Sequence, residues 1–204
     1  MHEIRVGLLG LGTIGTGVAR ILLSQQELMT RRLGKRVRLV AAADRDLKRD
    51  RGLDFSGVRL SEDAMDVVRA DDVDLVVELI GGYEPARTFV AEALSHGKHV
   101  VTANKALIAK HGEELFPLAT DKDAALGFEA AVGGGIPCLK ALREGLAANA
   151  ITSVHGILNG TCNFILTKME REGADYADVL REAQELGYAE ADPTFDVEGV
   201  DTAH

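Results

Sequence analysis

The chain has 204 residues, 46% of them hydrophobic, and a formal net charge of −9 at pH 7. That length holds one large domain, or one domain and part of another, with enough apolar residues for a real core. The acidic balance and the lack of a basic run beyond Arg31-Arg32, with Lys35-Arg36 nearby, argue against a nucleic-acid binder. No apolar run nears the ~20 residues of a membrane span, and "MHEIRVGLLGLG" lacks the basic, apolar, small-residue order of a signal peptide. Cys138 and Cys162 have no CxxC spacing and read as reduced thiols in a cytoplasmic protein.

In chain order, "IRVGLLG" (4–10) predicts a strand, and 13–33 a helix with Ile14, Val18, Ile21, Leu22 and Leu28 at helical spacing. Between them "GLGTIG" supplies Gly10, Gly12 and Gly15 as GxGxxG. A lone match is weak, but after a strand and before a helix it acquires a mechanism. The first glycine makes the tight turn, the second admits a pyrophosphate to the backbone, and the third allows close helix packing. The helix N-terminus favours the phosphate charge.

Residues 37–44 predict the next strand, which ends at Asp44 and Arg45. Asp44 suits the free 2′-hydroxyl of NAD and Arg45 the 2′-phosphate of NADP. Both side chains also suit a solvated loop, so NAD and NADP stay open here.

Residues 61–70 predict a helix capped by Ser61, 73–82 a strand, and 84–97 a helix with Pro near its start and Gly at its end. Segments 98–105, 112–122 and 124–132 continue the alternation. Near-continuous apolar strands joined by helices imply an α/β fold, a Rossmann-type doubly wound, mostly parallel sheet. Thr102, Asn104 and Lys105 fall at a strand's C-terminal end, where such sheets bind ligands; Lys105 equally suits a surface residue opening a helix.

"FEAAVGGGIP" sets Glu129 before three glycines, which suits a hard-cation site or a domain hinge. The rhythm then changes. "TSVHGILNG" (152–160) predicts a strand, and helices follow over 161–172 and 176–187. We read 1–132 as a dinucleotide-binding domain and 133–204 as the first part of an α+β substrate and dimerisation domain. Cys162, beside Asn159, Thr161 and Asn163, suits either a thiol nucleophile of the aldehyde-oxidising type or a small buried residue near a helix start. The closing "YAEADPTFDVEGVDTAH" threads carboxylates through apolar and turn residues, a pattern suited to gripping an ammonium group, to acid–base work or to a metal. It has no His–carboxylate spacing for zinc, and an amine-bearing substrate is the best local reading.

Together "GLGTIG", "TANKALIA", "EAAVGGGIP", "GILNGTCNFILTKM" and "AQELGYAEADPTFDVEGVDTAH" resemble the homoserine dehydrogenase family over the whole chain. The resemblance implies NAD(P)-dependent interconversion of L-homoserine and L-aspartate 4-semialdehyde, a step towards threonine and methionine. Gly10, Leu11, Gly12, Thr13, Ile14 and Gly15 would bind the pyrophosphate, and Arg45, next to Asp44, matches a position that contacts the 2′-phosphate in the family's NADP users. Thr102 and Lys105 would lie between nicotinamide and substrate. Glu129, with the carbonyls of Val132, Gly134 and Ile136, would hold a monovalent cation, Na+ or K+. Glu190, Asp196 and Asp201 would hold the substrate's amino group. Lys105 and Asp201 would serve catalysis.

Cys162 stands where the family more often has Thr. The family motif runs from D-x-A-x into a catalytic lysine, and this chain ends at His204, one residue earlier; the expectation is cofactor binding with little turnover. A cytoplasmic homodimer is also implied. Two rivals are an aldehyde-oxidising enzyme using Cys162 and a dinucleotide-binding regulator without catalysis.

Overall fold

The computed structural model describes residues 3–189 and 192–204. It forms two compact units, one up to Gly145 and one from Leu146. In the first, β1 (Glu3–Leu9), β2 (Arg36–Ala43), β3 (Arg59–Ser61), β4 (Leu75–Glu78), β5 (His99–Thr102) and β6 (Leu126–Gly127) make one sheet. Its order is β3-β2-β1-β4-β5-β6, and every pairing is parallel. This is the expected doubly wound Rossmann-type sheet, with its order reversing between β1 and β4.

The strands are apolar on both faces because helices cover both. In β2 every residue from Leu39 to Ala43 is buried. Successive side chains of β1 point to opposite sides. Leu8 packs with Leu39, Ala42 and the α1 residues Ala19 and Leu22 (α1, Thr13–Ser24). Leu9 packs with Val40, Val76 and Val100 under α3 (Ala64–Val68), α4 (Ala86–Ser95) and α5 (Lys105–Asp121). Each such Leu or Val stabilises the fold by about 1.5–3 kcal/mol relative to an exposed position.

Several expectations need correction. The helix expected over 13–33 breaks at Gln25, and α2 (Gln26–Leu33) follows. The Ser24 hydroxyl donates to the Arg20 carbonyl, competing with the helical ladder at the break. Leu22 is buried as expected, but Ile14 and Ile21 are exposed, and the buried face of α1 is completed by Gly15 and Ala19. Ser61 ends β3 rather than capping a helix. Asp63 caps α3, accepting from the Met65 amide at 2.8 Å. Helix α5 begins at Lys105, not at residue 112, because Asn104 caps it by accepting from the Leu107 amide.

In the second unit, residues 152–160 form no strand; no strand pairing occurs among its described residues, so the extended pattern there has nothing to bond to. Helices α7 (Gly160–Glu172) and α8 (Tyr176–Glu185) enclose a small core of Ile165, Val179, Ala183 and Ala189. Lys168 of α7 pairs with Glu182 of α8. Short α9 (Thr194–Val197) and α10 (Val200–Ala203) follow. In the first unit a short α6 (Cys138–Lys140) follows the turn after β6. No helix among the described residues is long and apolar enough to cross a membrane.

Candidate functional site

The glycine motif lies at the C-terminal end of β1, where the strand order reverses. Gly10 has φ +91°, and an added Cβ there would stand 2.8 Å from the Leu79 carbonyl oxygen beyond β4. Only glycine passes that corner without strain. At Gly15 a Cβ would drive into the Gly10 carbonyl, so α1 packs directly on the turn. Gly12 is different: a Cβ there meets nothing, so the backbone faces open space. Gly12 also precedes a helix with no capping side chain and no acidic residue in its first turn. Bare amides, a positive dipole end and room for a close approach together fit a pyrophosphate, with Thr13 and Ile14 at the helix mouth.

Asp44 lies just beyond β2 and faces this loop. Its Oδ2 accepts from the Leu11 amide at 2.6 Å, and its Oδ1 from the Asp46 amide at 2.9 Å. Arg45 is exposed and makes no ion pair or side-chain hydrogen bond among the described residues. Arg51, which sequence reasoning did not single out, sits 3.2 Å from Asp44 with its side chain only 6% exposed. It donates to the carbonyls of Leu11 (2.9 Å), Arg49 (2.8 Å) and Asp46 (2.7 Å). Leu11 is therefore held through both its amide and its carbonyl.

A second network spans the ends of β4 and β5. Glu78 is fully buried. Its Oε1 accepts from the amides of Ile80 (2.7 Å) and Gly81 (3.1 Å), and its Oε2 from the Thr102 hydroxyl (2.6 Å). Thr102 Oγ1 accepts from the Asn104 amide at 2.9 Å, and the Asn104 side chain donates to the Gly82 carbonyl at 2.6 Å. Thr102 and Lys105 thus meet at one strand–helix junction, with Lys105 in the first turn of α5. The visible signal for Glu78 was a charge inside the apolar run "VDLVVELIGG".

Glu129, Val132, Gly134 and Ile136 occupy one turn between β6 and α6. Both Glu129 oxygens accept from helix amides, Leu139 at 3.0 Å and Lys140 at 2.9 Å. The Val132 carbonyl accepts from the Cys138 thiol, and the Ile136 carbonyl from the Cys138 amide. Gly133 and Gly134 turn the chain with φ +71° and +59°.

In the second unit the acidic residues converge on Asn159, which caps α7 by accepting from the Cys162 amide at 2.7 Å. The same side chain donates to Asp196 (2.8 Å) and Asp201 (2.9 Å), holding two carboxylates side by side. They border a cleft of about 570 Å³ with Thr161, Phe164 and Tyr188. Glu190 lies outside the described residues. The Cys162 thiol donates to the Asp196 carbonyl at 3.2 Å, and burial, then the charges of Asp196 and Asp201, push its pKa up. Those surroundings suppress a thiolate and favour the small-buried-residue reading.

Comparison with known proteins agrees with this geometry. Residues 10–129 match a family model described as homoserine dehydrogenase, NAD binding domain, and residues 137–204 one described as homoserine dehydrogenase. Homoserine dehydrogenases of Neisseria gonorrhoeae and Pseudomonas aeruginosa are 52% and 50% identical across the whole chain, which spans 47% and 46% of their lengths. The crystal structure of a homoserine dehydrogenase from Thiobacillus denitrificans superposes with a TM-score of 0.91 at 56% identity, over 98% of this chain and 46% of that one. A hyperthermophilic archaeal homoserine dehydrogenase in complex with NADPH matches with a TM-score of 0.82 at 29% identity, over 98% of this chain and 66% of that one. The chain spans about half the length of the curated relatives it matches. It belongs to the homoserine dehydrogenase family.

Proposed function

We propose that these residues serve the reversible, NAD(P)-dependent interconversion of L-homoserine and L-aspartate 4-semialdehyde, on the route to threonine and methionine. The observation that carries the reading is the pair Asp196 and Asp201, held side by side by Asn159 at the edge of a cleft. Two adjacent carboxylates suit the ammonium group of an amino-acid substrate. The nicotinamide cofactor, when bound, accepts or returns the hydride at the substrate's hydroxyl-bearing carbon.

The protein's part is to bind and orient. Gly10 to Gly15 cradle the pyrophosphate, and Asp44 and Arg45 face the adenosine ribose. Thr102 and Lys105 stand at the strand ends, where the Lys105 ammonium stabilises charge developing on the substrate oxygen. Asp201, beside Asp196, fixes the substrate's amino end, with Glu190 assigned the same task by resemblance. No covalent intermediate is needed, in keeping with the unfavourable surroundings of the Cys162 thiolate. Glu129 and the carbonyls of Val132, Gly134 and Ile136 are an oxygen donor set suited to Na+ or K+; the cation would share the Glu129 oxygens with the amides they now accept from. A cytoplasmic homodimer, with residues 1–132 as the cofactor domain, belongs to the same proposal.

The test is homoserine-dependent reduction of NADP and NAD by residues 1–204 carried in a chain of the relatives' length. Activity that falls at least about 100-fold in Asp201→Asn, with cofactor affinity unchanged, supports the reading. Cofactor binding without turnover would favour the regulatory-protein alternative.

A further inference from the structure

Asp44 meets the glycine loop with a carboxylate whose acceptor sites are largely taken. It accepts from the amides of Leu11 and Asp46 and lies 3.2 Å from the Arg51 guanidinium. A carboxylate offers about four acceptor positions, so roughly one remains for a ribose hydroxyl. An uncompensated Asp here would repel a 2′-phosphate. Arg51 supplies the compensation from the protein side. Its side chain is 6% exposed, and its N–H groups are directed to the carbonyls of Leu11, Arg49 and Asp46, so it does not reach out to a ligand. Arg45, the neighbouring residue, is exposed and carries the cation that a 2′-phosphate would meet.

We infer that Arg51 sets the cofactor preference of this site: by neutralising Asp44 from beneath, it lets the end of β2 take a 2′-phosphate as well as a 2′-hydroxyl. The inference rests on the reading that the glycine loop binds a nicotinamide dinucleotide. Arg51 is a positioning residue here, since it acts through Asp44 and Leu11. Removing its charge exposes the Asp44 charge to the 2′-phosphate alone, whereas loosening of the Leu11 loop weakens both cofactors alike. The ratio of affinities therefore separates the electrostatic role from a structural one.

The experiment titrates NADPH and NADH into the chain, followed by nicotinamide fluorescence, for wild type, Arg51→Met, Arg51→Lys, Asp44→Asn and the Asp44→Asn/Arg51→Met double variant. Arg51→Met should raise the Kd for NADPH relative to NADH by about tenfold or more, a charge effect of ordinary size near a protein surface. In the double variant, which lacks both charges and so has the same net balance as the wild-type pair, the ratio should return towards the wild-type value. Arg51→Lys keeps the cation but loses the fork, so it should weaken both cofactors and leave the ratio near wild type; it also serves if Arg51→Met fails to fold. Equal weakening of both cofactors in Arg51→Met, a ratio shift in Arg51→Lys as large as in Arg51→Met, or failure of Asp44→Asn to restore the ratio would overturn the inference. Loss of both cofactors in the wild type would instead refute the dinucleotide reading on which it stands.

Discussion

Replacing Glu78 by Gln tests the polar network that fixes the start of α5. The hydrogen bonds run one way. The Asn104 amide donates to Thr102, and the Thr102 hydroxyl donates to Glu78, which also accepts from Ile80 and Gly81. Three donors converge on two oxygens, and an amide cannot reproduce that. If the Gln oxygen keeps the Ile80 and Gly81 amides, its NH2 faces Thr102, and the threonine proton loses its acceptor. If the side chain flips, its NH2 opposes two amides. Either way a buried donor goes unmet, at about 1–3 kcal/mol. The relief of burying an amide rather than a carboxylate offsets part of this, leaving a net loss of about 1 kcal/mol. For a chain of this size that lowers Tm by about 2–4 °C. The assay is thermal and denaturant unfolding of wild type, Glu78→Gln, Thr102→Val and the double variant. A coupling energy of at least about 1 kcal/mol is expected between the two sites. Additive effects, or a Glu78→Gln chain as stable as wild type, would show that Glu78 and Thr102 do not act as one network.

Three further outcomes follow from the same structure. A Cβ on Gly7 would stand 2.5 Å from Val67 Cγ1 and 3.0 Å from Val73 Cγ1, both on buried residues, so Gly7→Ala should destabilise by about 1–3 kcal/mol in urea unfolding. The hydrogen bond from Arg5 holds the Asp74 pKa below its ordinary 3.8, so this pair contributes stability above that pH and loses it as pH falls through the folded value. The stability gap between wild type and Asp74→Asn should be level above about pH 5 and close below about pH 4, and a gap persisting in acid would contradict this. The Cys162 thiol, raised by burial and by Asp196 and Asp201, should be alkylated only at higher pH than a free cysteine, and Asp196→Asn should shift that profile downwards.

Much of this was legible beforehand. The β–α alternation gave the sheet because parallel strands buried on both faces leave continuous apolar runs such as 37–44. The glycine spacing gave the turn because Gly10 and Gly15 answer local steric demands. Less legible were features set by long-range pairing. Arg51 lies in the charge-rich "DRDLKRDRG", where nothing in spacing separates a buried guanidinium from solvated neighbours. Glu78 was not singled out: its signal is a charge in an apolar strand, and its partners come from the next strand and loop. The pattern at 152–160 predicted a strand that the described residues do not pair, because a strand exists only with a neighbour. In the acidic stretch the residue types suggested an ammonium site, but the role of Asn159 in joining Asp196 to Asp201 depends on the fold.

Whether the glycine turn holds a dinucleotide is decided by equilibrium titration of NADPH and NADH into the 204-residue chain and its Gly15→Ala variant. Saturable one-to-one binding of the dinucleotide is expected for the wild type. That binding should be lost in the variant, whose Cβ would displace the Gly10 carbonyl and close the turn. No saturable binding by a folded wild-type chain, or unchanged binding in Gly15→Ala, would contradict that role for the turn.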